Sequence, residues 1–136
     1  RSADKGRLRI QGAKKHNIVN QNIELPLGRL VAITGVSGSG PAYVFHMIEA
    51  MAAAGTAQGL PPEMAMQLAK ATVAGAGALA EAAEETPEQL RINVTSPGGT
   101  TAAALNVLMN EERGFPKLLG EAVKAAADRG RELGKS

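Results

Sequence analysis

The sequence contains no cysteine and no tryptophan, and its only aromatics are two phenylalanines and one tyrosine. Without cysteine, disulfides and thiolate metal sites are excluded. With so few rings, the apolar share of the chain comes from Ala, Val, Leu, Ile and Met. Such side chains suit closely packed helices better than a large aromatic-walled pocket. Charge of one sign is also lacking: 15 basic residues face 13 acidic ones, for a formal net charge of +2. That balance gives no strong field for nucleic acid. Arg1, Lys5, Arg7, Arg9, Lys14 and Lys15 do cluster early, but they alternate along a β-like stretch, and a solvated face is expected there. No apolar run approaches the roughly 18 residues of a membrane span, and no signal-peptide pattern is visible. The expectation is a soluble, cytoplasmic chain with no membrane or nucleic-acid partner. At 136 residues it is the size of one ordinary domain.

What is present changes character part-way along. Arg7–Ala13 alternates polar and apolar residues, as a half-buried strand does. Asn17–Leu25 is a second β-like stretch, and Arg29–Thr34, rich in β-branched residues, a third. Pro26-Leu27-Gly28 reads as the turn between the last two, so a small antiparallel meander is expected. After Gly40 the pattern is helical. Pro41 suits a first helical turn, in a helix running to about Ala54, which Gly55 and Gly59 then break. Pro61-Pro62 open a second helix reaching about Glu84. Its middle, Ala69–Ala80, is nearly apolar all round, which predicts burial on several sides. A chain this short rarely surrounds one of its own helices, so a partner subunit is the expected cover. Thr86-Pro-Glu-Gln89 fits a capping box, and helices near 100–110 and 116–132 follow, separated by Gly114 and Pro116.

Gly35-Val-Ser-Gly-Ser-Gly40 lies between a predicted strand and a predicted helix, the setting of a phosphate-binding loop, GxxxxGK[ST]. The chemistry fails at the two positions that carry it. Pro41 stands where lysine should reach the phosphates, and Ala42 where a hydroxyl should hold magnesium. Proline also removes a backbone N–H from the cradle. A glycine-rich turn is the stronger reading. Gly75-Ala-Gly-Ala-Leu-Ala80 has the letters of GxGxxA, yet it lies inside a predicted helix with no strand before it, where small residues allow close helix contact. His46 is expected to be a packing residue, and His16 a loop residue. Ser96-Pro-Gly-Gly99 reads as a turn, and Thr100-Thr101 open the next helix. Free N–H groups at a helix start, with hydroxyls beside them, make an anion site suited to a carboxylate. Simple N-capping by a threonine is the alternative, and on the residues alone the commoner outcome.

Two family resemblances run through these motifs. Gly12-Ala-Lys-Lys-His-Asn17, Asn22-Ile-Glu-Leu-Pro26 and Leu30–Gly40 make residues 7–40 resemble the start of an ATPase domain of the bacterial excinuclease ATPase subunit, UvrA. That family continues with Lys and Ser, then signature and Walker B segments, none of which is present here. Ser37-Gly-Ser-Gly-Pro-Ala-Tyr43, Gly59-Leu-Pro61, Val94-Thr-Ser-Pro-Gly-Gly-Thr-Thr101, Phe115 and the Ala-rich last helix make residues 35–136 resemble the C-terminal dimerisation domain of pyrroline-5-carboxylate reductase. The chain therefore reads as a chimera crossed over at a shared V-S-G-S-G-like segment.

The reductase resemblance implies a mainly α fold: an intertwined helical dimerisation domain at 37–136, with a short N-terminal antiparallel β appendage at 1–36. It implies that Ser96, Pro97, Gly98, Gly99, Thr100 and Thr101 hold the imino-acid substrate, and that Thr101 is a candidate proton donor to the ring nitrogen. In that family the site lies at the dimer interface, where NAD(P)H held by an N-terminal domain meets it. Residues 1–40 contain no βαβ unit with GxGxxG, so no cofactor is expected on this chain alone. The resulting expectation is a homodimerisation and substrate-site module of proline biosynthesis, inactive alone. Its partners would be itself, as a homodimer or higher oligomer, and, weakly, a small carboxylate such as proline. The alternatives are an active reductase subunit given a cofactor domain in trans, and a nucleotide- or DNA-binding fragment of an excinuclease ATPase.

Overall fold

A computed structural model describes residues 7–15, 18–26 and 30–133. Two strands, β1 (Arg7–Lys15) and β2 (Ile18–Pro26), are followed by a short helix, α1 (Leu30–Ile33), and a π-helical turn, Thr34–Gly38. Five longer helices follow: α2 (Gly40–Ala57), α3 (Pro62–Ala82), α4 (Pro87–Asn93), α5 (Thr100–Leu108) and α6 (Phe115–Leu133). The fold is mainly α. The strands pair antiparallel from Arg7↔Pro26 to Lys15↔Ile18, with irregularities on either side of Ala13. The described residues before Gly40 form one compact unit with those from Glu121 on, and residues 40–120 a second.

The expected third strand is not there: Leu30–Ile33 is helical and Thr34–Gly38 continues as a π-turn. The reason is tertiary. A Cβ placed on Gly35 would lie 3.2 Å from the Val123 carbonyl oxygen, and one on Gly130 would lie 3.2 Å from Val31 Cγ1. Glycine on each side thus lets this turn and α6 approach closely. β-branched residues favour strands only weakly, and such packing overrides them.

In the second unit, α2 and α3 pack as a helical hairpin. Gly59 N donates to Thr56 O at 3.0 Å and Leu60 N to Gly55 O at 3.1 Å, the paired bonds of a Schellman cap. Gly59 is the left-handed residue that motif needs, with φ +98°. Gly55, expected to break the helix, lies inside it. A Cβ there would sit 3.3 Å from Leu60 Cδ1 and 3.4 Å from Ala65 Cβ, so its role is close approach. The core between the two helices is Ala52, Ala65 and Ala69, with Ile48 and Met66 packed on it.

That core is thin. Among the described residues no large hydrophobic side chain is fully buried, and Met64, Leu68 and Leu79 on α3 remain about half exposed. A Cβ on Gly75 or Gly77 would meet nothing within 4 Å. The apolar stretch of α3 therefore has little cover within this chain. In the last turn before α6, Asn110 Oδ1 accepts from the backbone N of Glu112 and Arg113 at 3.0 and 3.1 Å. Buried Gly114 has no room for a Cβ, which would overlap the Leu108 carbonyl and lie 2.6 Å from Asn110 O. On α6, Asp128 accepts from Lys124 Nζ at 2.5 Å and pairs with Arg131. Those cations, Lys124 foremost, hold its carboxyl below the usual carboxylate range. Among the described residues no helix is long and apolar enough to cross a membrane.

Candidate functional site

The loop between α4 and α5 is built from its two ends inward. α4 starts on Thr86, whose Oγ1 accepts from Gln89 N at 3.2 Å. The Gln89 side chain donates to Asn93 Oδ1 at 2.8 Å, so only half of the expected capping box is made through it. At the far end Thr95 closes the helix: its Oγ1 donates to Arg91 O at 2.6 Å and its N to Ile92 O at 3.0 Å. Ser96–Gly99 is then a turn closed by Gly99 N to Ser96 O at 3.0 Å. Pro97 stands second and Gly98, with φ +68°, third, which is the pattern of a type II turn. A Cβ on Gly99 would press on the Ser96 carbonyl at 3.2 Å.

Gly99 is also the N-cap of α5, and no side chain caps that helix. Capping by a threonine, the simpler reading of Thr100-Thr101, is therefore not what these residues do: Thr100 is already the first helical residue. Ala103 N bonds to Gly99 O at 3.2 Å, which leaves the N–H groups of Thr100, Thr101 and Ala102 as the donors of the open helix start. The six predicted site residues thus form one continuous stretch. Ser96, Pro97, Gly98 and Thr100 are exposed, while Gly99 and Thr101 are half-buried. Chemically the stretch is neutral, rich in donors, and placed at the positive end of a helix, an arrangement with the capacity to accept an anion.

An open concavity of about 390 Å³ lies between α4 and α5, lined by Arg91, Thr95, Ala102, Leu105, Asn106, Met109 and Asn110; it touches the two ends of the loop but none of residues 96–101. Arg91 is the one cation in that lining, and sequence reasoning did not single it out. Its Nη1 donates to Met109 Sδ at 3.3 Å, and its Nη2 lies 3.9 Å from Glu88 Oε1. The signal available was only a basic residue in the last turn of the helix before the motif.

The other sequence candidates are placed elsewhere. Gly35–Gly40 runs through the π-turn after α1 into the start of α2, so the strand that a phosphate loop requires is absent, and Pro41 and Ala42 stand in the first turn of α2. Gly75–Ala80 lies inside α3. His46 is an exposed residue whose Nδ1 is 3.0 Å from Glu49 Oε2, and not the packing residue expected. Among the described residues no group of His, Cys, Asp and Glu could hold a metal ion. Arg1, Lys5 and His16, and the side chains of Arg7, Arg9, Lys14 and Lys15, lie outside the described residues.

Comparison with known proteins bears on the same stretch. A family model described as pyrroline-5-carboxylate reductase dimerisation matches residues 29–133. The chain is 50% identical over 117 residues to pyrroline-5-carboxylate reductase of Synechocystis sp., covering 86% of this chain and 43% of that protein. It is 53% identical over 102 residues to the Pisum sativum reductase, covering 75% and 37%. Among solved structures, the Plasmodium falciparum pyrroline carboxylate reductase with NADP bound is similar, with a TM-score of 0.74 and 32% identity, over 81% of this chain and 44% of that one. The Coxiella burnetii enzyme gives a TM-score of 0.74 at 41% identity, over 79% and 39%. The chain thus spans less than half the length of these relatives. With 117 of 136 residues aligned, the likeness to the Synechocystis protein begins at or before residue 20, well inside the segment read as excinuclease-like. Nothing in these comparisons supports the excinuclease resemblance.

Proposed function

The chain belongs to the pyrroline-5-carboxylate reductase dimerisation family, and on that premise we propose that residues 29–133 are the homodimerisation and substrate-site module of such a reductase, preceded by the β1–β2 pair. The boundary at 36/37 expected from the sequence falls inside the π-turn that packs on α6. The observation that carries the substrate half of this reading is the Ser96–Gly99 turn opening onto the uncapped first turn of α5. Ser96, Pro97, Gly98, Gly99, Thr100 and Thr101 receive the carboxylate of the imino acid. Backbone N–H groups and hydroxyls supply its hydrogen bonds, and the α5 dipole adds to them. Thr101, half-buried in the first turn of α5, is the candidate donor of a proton to the ring nitrogen. The observation behind self-association is the uncovered apolar surface of α3, of a kind that marks an interaction face.

Reducing equivalents in this family come from NAD(P)H. Among the described residues no strand, glycine loop and helix follow one another as a dinucleotide cradle requires. These 136 residues by themselves are therefore expected not to consume NADPH when given pyrroline-5-carboxylate, as followed by absorbance of the nicotinamide. Steady consumption that survives purification and disappears in Thr101→Ala would contradict this, and would make the chain a complete enzyme. An added cofactor domain that restored turnover would agree with it.

A further inference from the structure

Arg91 makes three contacts, one to the loop and two to the helices on either side of it. Its carbonyl oxygen accepts from Thr95 Oγ1 at 2.6 Å, which ties the first loop residue to the last turn of α4. Its Nη1 donates to Met109 Sδ at 3.3 Å, and Met109 is the C-cap of α5, the helix that the loop starts. Its Nη2 stands 3.9 Å from Glu88 Oε1, on its own helix. One half-buried residue thus joins the two helices that border the loop and also holds the loop's near end. It forms a wall of the concavity beside Thr95 and Ala102, and of a second, more apolar one of about 470 Å³ with Phe115 and Leu119.

A turn with two glycines is soft by itself. The placing of Ser96 against the N–H groups of residues 100–102 then depends on how far apart α4 and α5 are held. We infer that Arg91, through Met109, is the positioning residue of the Ser96–Thr101 loop. The binding arm of its test rests on the carboxylate reading above. A thioether is a weak acceptor, so the contact adds little to stability and acts mainly on geometry. The planar guanidinium holds its direction, whereas a lysine in its place would bring only a flexible point charge.

The test uses the whole 136-residue chain in four forms: parent, Arg91→Gln, Arg91→Lys and Met109→Leu. Met109→Leu keeps the charge and nearly the volume while removing the sulfur acceptor. Amide shifts and hydrogen exchange of residues 95–102 are read without ligand, then proline affinity, then the melting temperature. In Arg91→Gln and Met109→Leu, exchange across the loop should speed up about tenfold, as local opening becomes easier. Proline affinity should fall about fivefold, or about 1 kcal/mol, while the melting temperature stays within about 2 °C. Arg91→Lys should fall between these and the parent. Unchanged loop amides in both variants would overturn the inference. So would a large fall in melting temperature with shifts spread over the whole unit, which would make Arg91 a general anchor. A parent chain that binds no proline would sink the carboxylate reading alone, since the ligand-free amides still decide the role of Arg91.

Discussion

Replacing Gly75 by leucine is expected to break self-association while leaving the helix that carries it intact. Within one chain the substitution is harmless, because a Cβ on Gly75 meets nothing within 4 Å. On helix propensity alone it should even help, since glycine in a helix interior is about 0.8–1 kcal/mol worse than alanine, and leucine is nearly as good as alanine. A monomeric α3 would therefore melt higher with the leucine in place. If a second copy covers the small-residue stretch closely, the added side chain overpacks the contact and costs about 1–3 kcal/mol. That corresponds to a dimer weakened roughly five- to hundredfold. The two cases differ in sign. Sedimentation at several concentrations with thermal melting reads both, and weakened association with unchanged helicity is the expected pair of results. A higher melting temperature with no change in mass would mean that nothing packs on α3.

The second large effect is expected from Gly98→Val. Gly98 sits at φ +68° with nothing within 4 Å of a new Cβ, so space is not the obstacle. Conformation is, since a β-branched residue at positive φ is a true outlier, and such strain costs about 1–3 kcal/mol. The turn should reopen, and the Ser96 end should move away from the start of α5. For the parent chain, charge-assisted hydrogen bonds of roughly 1.5–3 kcal/mol each are largely offset by ordering. The expected affinity for proline is therefore in the millimolar range, about −4 kcal/mol. In an amide titration the parent should show shifts confined to residues 95–102, and Gly98→Val none at roughly 50 mM, several times such a constant. No shift in the parent would reduce the loop to a helix start. Equal binding by the variant would show that the turn conformation is not needed.

Local chemistry is legible in the sequence where a residue type has one job. Pro97 and Gly98 announce their turn, Gly59 its helix end, and Thr86 its cap, and each stands as read. Where a residue acts on something far along the chain, the sequence misleads. Arg29–Thr34 has the composition of a strand, but α6, some 90 residues later, decides the conformation of residues 30–34 through Gly35 and Gly130. Gly55 has the look of a breaker, yet it is a contact point for Leu60 and Ala65. Arg91 carries no mark in the sequence because its partner, Met109, is 18 residues away on another helix. The reductase motifs are legible from residue 35, whereas the family match begins at 29. The reason is that residues 29–34 imitate a strand leading into a phosphate loop. The apolar girth of α3 is plain in the sequence, and most of its cover has to come from outside this chain.

That last point can be measured directly. Light scattering coupled to size exclusion, on the unmodified chain over a hundredfold dilution, should return twice the 14.0 kDa chain mass or a multiple of that. Helicity should hold for as long as the mass does. A well-folded species of 14.0 kDa that persists through the dilution would contradict the account at its centre. It would mean that the exposed Met64, Leu68 and Leu79 need no partner.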